Sequence, residues 1–104
     1  MAVVSVYAVF ADAGEAERIG RTMVEERLAA CVNILGPTRS IYRWKGAIET
    51  ADEVAAIFKT HHWQSDALIA RITGLHSYDV PCVVSWPIEK VLRAYADWVE
   101  DCVR

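Results

Sequence analysis

The side chains best suited to bind a soft metal ion are three histidines and three cysteines. Imidazole and thiolate groups are ligands that copper and zinc prefer. No two of these residues stand at a chelating spacing such as C-x2-C, and the adjacent His61 and His62 would point to opposite faces of a strand. His76 and Cys82 lie at the two ends of a short loop and could converge. They are the candidate metal ligands among His61, His62, His76, Cys31, Cys82 and Cys102.

A second interpretation gives these side chains no ligand role. A free cysteine behaves as a small hydrophobic residue, so Cys31 and Cys82 would be buried, and His76 would be a hydrogen-bonded structural imidazole. For any single residue this is the favoured interpretation. A metal site assembled between subunits would leave no spacing signal within one chain, so the metal hypothesis stays open.

Catalytic motifs are missing from the sequence. It contains no G-x-S-x-G, no H-E-x-x-H and no glycine loop that would cradle a phosphate. The neighbouring carboxylates of Asp52 and Glu53 are more typical of a solvated surface than of an acid–base pair. We therefore predict that the protein is not an enzyme, and we assign no catalytic residue.

The composition limits the classes of partner. With 104 residues the chain is expected to form one domain, residues 1–104. The formal net charge is −3 and no run of Lys or Arg is present, so we expect no nucleic-acid partner. No apolar stretch approaches the roughly 20 residues of a membrane span, and we expect no leader segment and no membrane association. Three cysteines without a C-x-x-C pair predict free thiols in the cytoplasm.

A long β-hairpin between residues 30 and 60 must position the candidate residues. Its first arm is rich in β-branched and aromatic residues and breaks at Gly36-Pro37, and Lys45-Gly46 supplies the turn. Alternation places Ser40, Tyr42 and Trp44 on one face. Residues 51–59 have good helix propensity, but they also alternate as a strand would. A hairpin this long, with an aromatic and basic tip, needs another surface, most simply a second copy of the chain.

The other elements follow from periodicity and breakers. Apolar periodicity predicts a helix from Glu15 to about Ala29-Ala30, and a second one that begins after Ser65 as N-cap. The order β-α-β-β-α-β with a terminal helix predicts a four-stranded antiparallel sheet with both main helices on one face. The remaining predicted segments are strands at Val3–Phe10 and Val80–Trp86, and a last helix within Val91–Val103.

Several motifs, taken together, resemble the CutA divalent-cation-tolerance family. They are Leu28-Ala29-Ala30-Cys31-Val32-Asn33-Ile34, Ser40-Ile41-Tyr42-Arg43-Trp44-Lys45-Gly46, Lys59-Thr60, His76-x-Tyr78, Val80-Pro81 and Tyr95-x-x-Trp98. The resemblance implies a ferredoxin-like domain and a homotrimer similar to PII-type signalling proteins, with the hairpin pairing across subunits. It also favours a strand over residues 51–59, and it implies tolerance of divalent metals, copper especially.

The resemblance does not extend to one copper site proposed for the family. That site uses a Cys in the first strand, a His before the His-Pro-Tyr motif and a Glu after the following Pro. The matching positions here are Ala8, Leu75 and Cys82, of which only Cys82 could bind a metal. Ser77 also stands where Pro is usual, and Val91 where Gly is usual.

The recurrent polar and aromatic positions of the family suggest a cleft shared between subunits. Two interpretations of these residues stand side by side. They could line a binding cleft, or they could hold the trimer together, with Glu53 and Lys59 as an ion pair at the interface. The residues concerned are Cys31, Tyr42, Trp44, Glu53, Lys59, His76 and Tyr78.

The leading hypothesis is a non-enzymatic, homotrimeric divalent-cation-tolerance protein. It would take part in the response to metal ions, would need no obligatory cofactor, and would bind copper or another divalent cation weakly. Two alternatives remain: a PII-like module that senses a small ligand in the cleft, and a structural trimer that presents a surface to a protein partner.

Overall fold

The computed structural model describes residues 2–104. Its element order confirms the predicted α+β class with a four-stranded antiparallel sheet and three helices. Residues 51–59 lie inside a strand, which confirms the strand interpretation of that segment. In chain order the elements are β1 (Val3–Phe10), α1 (Ala13–Glu25), β2 (Cys31–Trp44), β3 (Ala47–His61), a 3₁₀ turn (His62–Gln64), α2 (Ser65–Leu75), β4 (Val83–Pro87) and α3 (Arg93–Cys102).

The sheet has the strand order β2-β3-β1-β4, with every neighbouring pair antiparallel. Because side chains alternate along a strand, every second side chain of β1 and β3 faces α1 and α2. Val6 opposite Phe58, and Phe10 opposite Val54, are such positions, and all four are buried. The helices complete this main core with Ala16, Ile19, Met23, Leu68 and Ile72.

The β2–β3 hairpin is the longest feature of the fold, with strands of 14 and 15 residues. Lys45 (φ 50°) and Gly46 (φ 85°) both take the left-handed conformation, as a tight hairpin turn requires. The predicted break at Gly36-Pro37 is a β-bulge between Ile34 and Gly36, and β2 continues through it. Residues 41–50 are exposed on both faces of the ribbon. The chain itself therefore leaves this end of the hairpin uncovered.

The end of α1 was predicted four to five residues too late. The helix ends at Glu25, and Arg27 then takes a positive φ of 60°. This turn directs the backbone N–H groups of Leu28 and Ala29 back to the carbonyl oxygen of Met23, at 3.0 and 3.2 Å. These bonds satisfy a helix-end carbonyl, so the following residues leave the helix although their composition favours it.

Two further boundaries differ from the prediction. Ser65 is the first residue of α2 rather than its N-cap, because the 3₁₀ turn runs directly into the helix and the Ser65 hydroxyl donates to the carbonyl of His62 at 2.9 Å. Strand β4 begins at Val83 instead of Val80. Residues 78–82 therefore form a loop, and this loop becomes a wall of the site described next. Among the described helices, none has the length and apolar character needed to cross a membrane.

Candidate functional site

The sheet face opposite α1 and α2 is only partly covered. At one end α3 packs on it, where Val99 and Val103 bury Val3 and Ala30. At the other end the face is open and forms one wall of a cleft of about 530 Å³. The cleft lies between the hairpin and the 78–82 loop, and it is lined by Tyr7, Val9, Ser40, Tyr42, Trp44, Glu53, Tyr78, Asp79, Val80 and Cys82.

The bulge in β2 decides which hairpin side chains reach the cleft. Before the bulge, Val32 pairs with the core residue Phe58 and faces the helices. After the bulge, Thr38 pairs with Glu53. Even-numbered residues of β2 therefore face the helices before the bulge and the cleft after it. Without the extra residue, Tyr42 would lie on the opposite side of the ribbon. The bulge thus places Ser40, Tyr42 and Trp44 beside the β1 and β3 side chains.

A buried carboxylate holds the beginning of the loop that forms the other wall. Glu15, in the first turn of α1, accepts hydrogen bonds from the backbone N–H groups of Ala11 at 3.0 Å and Ser77 at 2.8 Å. Burial alone would raise the pKa of Glu15, but these hydrogen bonds outweigh burial and lower the pKa below its ordinary value. Glu15 therefore anchors Ser77 to the α1 end of the sheet.

His76 anchors the same loop through both ring nitrogens. Its Nδ1 accepts from the backbone N–H of Tyr78 at 3.1 Å, so its Nε2 carries the proton and donates to the carbonyl of Val9 at 2.7 Å. The ring also stacks on Phe10, with centroids 5.1 Å apart and planes 14° from parallel. His76 has no nitrogen left for a metal in this arrangement. The geometry is that of the structural imidazole considered above.

Glu53 and Tyr78 join the two walls of the cleft. The Tyr78 hydroxyl donates to Glu53 Oε2 at 2.7 Å, and Glu53 is only 9% exposed. Burial, followed by the hydrogen bond and the negative charge of Glu53, raises the pKa of Tyr78 to about 12. Cys82 is exposed and not buried as the ligand-free interpretation predicted, and partial burial of its thiol, followed by the same charge, raises the pKa of that thiol. Both groups stay protonated at neutral pH, so beside Glu53 the cleft presents neutral donors and no thiolate nucleophile.

The structure brings together some of the predicted site residues and separates others. Tyr42, Trp44, Glu53, Tyr78 and Cys82 line the cleft. The predicted site residues do not include the other five lining residues, although alternation places Ser40 on the face of Tyr42 and Trp44. The strand alternation of β1 could have indicated Tyr7 and Val9, but the loop position of Asp79 gave no periodic signal, and Val80 was predicted as the first residue of a strand.

Three predicted residues lie elsewhere. The Cys31 thiol is 3.3 Å from the Tyr95 hydroxyl of α3, and Lys59 Nζ donates to Asn33 Oδ1 at 2.9 Å. His76 stacks on the core residue Phe10 and is absent from the cleft lining. Within one chain, Glu53 and Lys59 thus have separate partners instead of each other.

The donor set does not fit a tight copper site in a single chain. Across residues 2–104 no three His, Cys, Asp or Glu side chains come close enough to hold a metal ion together. Of the three positions that the resemblance indicates, Ala8 is fully buried in the core beneath the helices, whereas Cys82 lines the cleft on the other face. Leu75 ends α2 and supplies no donor atom.

These features define a class of protein: a small α+β domain with an aromatic and acidic cleft on the open face of its sheet. The family model of the CutA1 divalent ion tolerance protein matches residues 4–102. The divalent-cation tolerance protein CutA of Archaeoglobus fulgidus is 42% identical over 89 residues, which make up 86% of this chain and 86% of that protein. The chain belongs to the CutA1 divalent ion tolerance protein family.

Solved structures of relatives have the same fold. The structure described as the periplasmic divalent cation tolerance protein CutA from Archaeoglobus fulgidus has a TM-score of 0.95 and 37% identity, covering 98% of this chain and 99% of its own. CutA from Xylella fastidiosa also has a TM-score of 0.95, with 35% identity and 98% of each chain covered. The family name supports a role in metal tolerance.

Proposed function

We propose that the protein is a non-enzymatic homotrimer that takes part in the response to divalent cations and binds copper or another divalent ion weakly in clefts between subunits. The observation that supports assembly is the hairpin end, residues 41–50, which is exposed on both faces, and the number of three subunits follows from the resemblance to the family. A two-stranded ribbon is marginal in water by itself. The exposed side chains there include Ile41 at 72% and Ile48 at 61%, which a neighbouring subunit would cover.

The cleft supplies the groups that would attract a cation. Glu53 and Asp79 provide carboxylates, and Cys82 provides a thiol. Since no three such donors come together within residues 2–104, binding by one chain would be weak, and a second subunit would have to complete any tighter site. The cytoplasm is the proposed location, supported by the three free thiols of Cys31, Cys82 and Cys102.

Sedimentation velocity and calorimetric metal titration test this proposal together. We expect a single trimeric species at micromolar concentration, and weak binding of Cu(II) or Zn(II). Binding is expected to weaken in Glu53→Gln and Cys82→Ser but to be unchanged in Asp52→Asn, a control on the same strand whose side chain lies on the other face of the hairpin. A compact monomer would contradict the trimer, and metal binding that neither cleft variant affects would contradict the proposed site.

A second function is supported by the size and character of the cleft. A volume of about 530 Å³ lies within the range of small-molecule sites, and a metal ion needs far less space. In this alternative the trimer senses an organic ligand, as PII-like modules do, and passes a change of shape to a partner. A thermal-shift screen separates the two functions, because a ligand that binds only the folded state raises the apparent stability.

A further inference from the structure

We infer that the cleft selects organic ammonium cations, such as alkylated amines, over neutral or anionic molecules of the same shape. This inference rests on the second proposed function, a trimer that senses an organic ligand, because it assigns a ligand class to the same cleft. Three observations support the inference: the negative charge of the lining, its aromatic rings, and the absence of three clustered metal ligands among residues 2–104.

The lining is one-sided in charge. Two of its ten residues, Glu53 and Asp79, are carboxylates, and none is Lys, Arg or His. Glu53 is largely buried and accepts one side-chain hydrogen bond, from Tyr78, whereas an ionised carboxylate has about four acceptor positions. Because the site is partly shielded from water, this charge acts more strongly on a bound ion than a surface carboxylate would. A cation would be attracted to this cleft, and an anion would be repelled.

The rings make the preferred cation an organic one. Four of the lining residues are aromatic: Tyr7, Tyr42, Trp44 and Tyr78. Aromatic faces attract ammonium groups within about 6 Å of the ring centroid, and such rings are used to recognise quaternary ammonium ligands. At the tip of the hairpin Lys45 Nζ lies 5.9 Å from the centroid of the Trp44 ring, so Lys45 competes with a ligand for Trp44, whereas among residues 2–104 no such contact involves Tyr7, Tyr42 or Tyr78. Val9 and Val80 add apolar surface for the alkyl groups of the ligand.

The alternative occupant, a bare divalent ion, fits less well. Hard and borderline metals need several donor atoms at about 2.0–2.6 Å, and the described residues offer no group of three carboxylate, thiol or imidazole donors. An ammonium ion needs no coordination of that kind. A quaternary ammonium group beside Glu53 would meet the negative charge of the carboxylate and the aromatic side chains of the lining, and it needs no shell of donor atoms.

Choline and its neutral isostere 3,3-dimethylbutan-1-ol test the inference, because the two differ in charge and hardly in shape. Binding is measured by calorimetry and by the shift of the Trp44 indole N–H resonance. We expect choline to bind about tenfold more tightly than the alcohol. We also expect Glu53→Gln to weaken choline binding about fivefold or more and added salt to weaken it as well. Asp52→Asn, on the other face of the hairpin, is expected to leave it unchanged.

The outcomes separate this inference from the proposed function, since sedimentation velocity is run on the same samples. Equal affinity for choline and the alcohol, or no choline binding by a trimer, overturns the inference and leaves the trimer standing. Binding of Cu(II) at Glu53 and Cys82 without choline binding also overturns the inference and leaves the trimer standing. A monomer that discriminates choline from the alcohol supports the inference and contradicts the proposed assembly.

Discussion

Replacing Glu15 by glutamine tests whether a buried carboxylate fixes the wall of the cleft. Glu15 bonds two backbone N–H groups, those of Ala11 and Ser77, and it is only 4% exposed. Glutamine has nearly the same shape but keeps a single acceptor oxygen. Its amide nitrogen would face one of the two backbone donors, so one hydrogen bond is lost and two donors point at each other.

The expected cost comes from that geometry. A hydrogen bond to a charged group contributes about 1.5–3 kcal/mol, so we expect Glu15→Gln to lower the free energy of unfolding by about 2 kcal/mol. With the urea dependence of a small protein this moves the unfolding midpoint by roughly 1 M. The protein concentration must be held fixed, because the stability of an oligomer depends on it.

The matched control is Glu17→Gln on the exposed side of the same helix. Glu17 pairs with Arg21 at 3.4 Å, and both side chains are well exposed, so its removal is expected to cost less than about 0.5 kcal/mol. If the two variants unfold at the same urea concentration, the carboxylate of Glu15 does not hold the loop, and the reasoning about the cleft wall is wrong.

The pH dependence gives an independent check of the same contact. Because the folded-state pKa of Glu15 lies below its ordinary value, its contribution is fully present above the unfolded-state value of about 4.5 and is lost as the pH falls through the folded-state pKa. The difference in stability between wild type and Glu15→Gln is therefore expected to shrink in acid. A difference that grows below pH 4.5 would contradict the direction of the pKa shift.

Three smaller predictions concern packing, the Glu53 contact and the turn. Gly20→Ala places a Cβ 2.9 Å from Val32 Cγ1, so we expect about 1–3 kcal/mol of destabilisation by urea unfolding, partly recovered when Val32→Ala is added. Tyr78→Phe leaves Glu53 without its donor, which is expected to cost about 1–3 kcal/mol and to reduce the tyrosine absorbance phase near pH 12 in an alkaline titration. A valine side chain at position 46 would meet no neighbouring atom, but the backbone there has a φ of 85°, which valine disfavours. We therefore expect Gly46→Val to lower the free energy of unfolding in urea by about 1–2 kcal/mol through backbone strain alone.

The fold could be predicted from the sequence because most of its information is local. Alternation and 3.6-residue periodicity mark faces that one chain buries, and Lys45-Gly46 specifies the turn that fixes the hairpin register. The errors fall where tertiary contacts override local preference. Helix α1 ends early because the turn at Arg27 returns backbone donors to Met23, and the composition of residues 26–30 contains no sign of that turn.

The site was only half predictable, for a geometric reason. Alternation tells which face of a strand a residue occupies, but it does not tell how far along that face a site extends. Lys59 shares a face with Glu53, yet six residues along a strand separate them by roughly 20 Å, and Lys59 lies at the end near α3. Asp79 and Val80 reach the cleft from a loop, whereas the sequence pattern predicted that a strand already begins at Val80.

The two walls of the cleft differ in what holds them, and this difference links binding to assembly. The loop wall is fixed within one chain by Glu15 and His76, whereas the hairpin wall, with Tyr42 and Trp44, extends without cover. A ligand that binds to a single chain must also order the free hairpin, which costs conformational entropy. In a trimer the neighbouring subunit has already ordered the hairpin, so the ligand binds without that cost. We therefore expect Ile48→Asp, on the hairpin face opposite the cleft, to weaken both the trimer and choline binding, although no lining residue is changed. Sedimentation velocity and calorimetry on the same variant measure the two effects. Loss of the trimer with unchanged choline affinity would show that one chain orders its own hairpin wall.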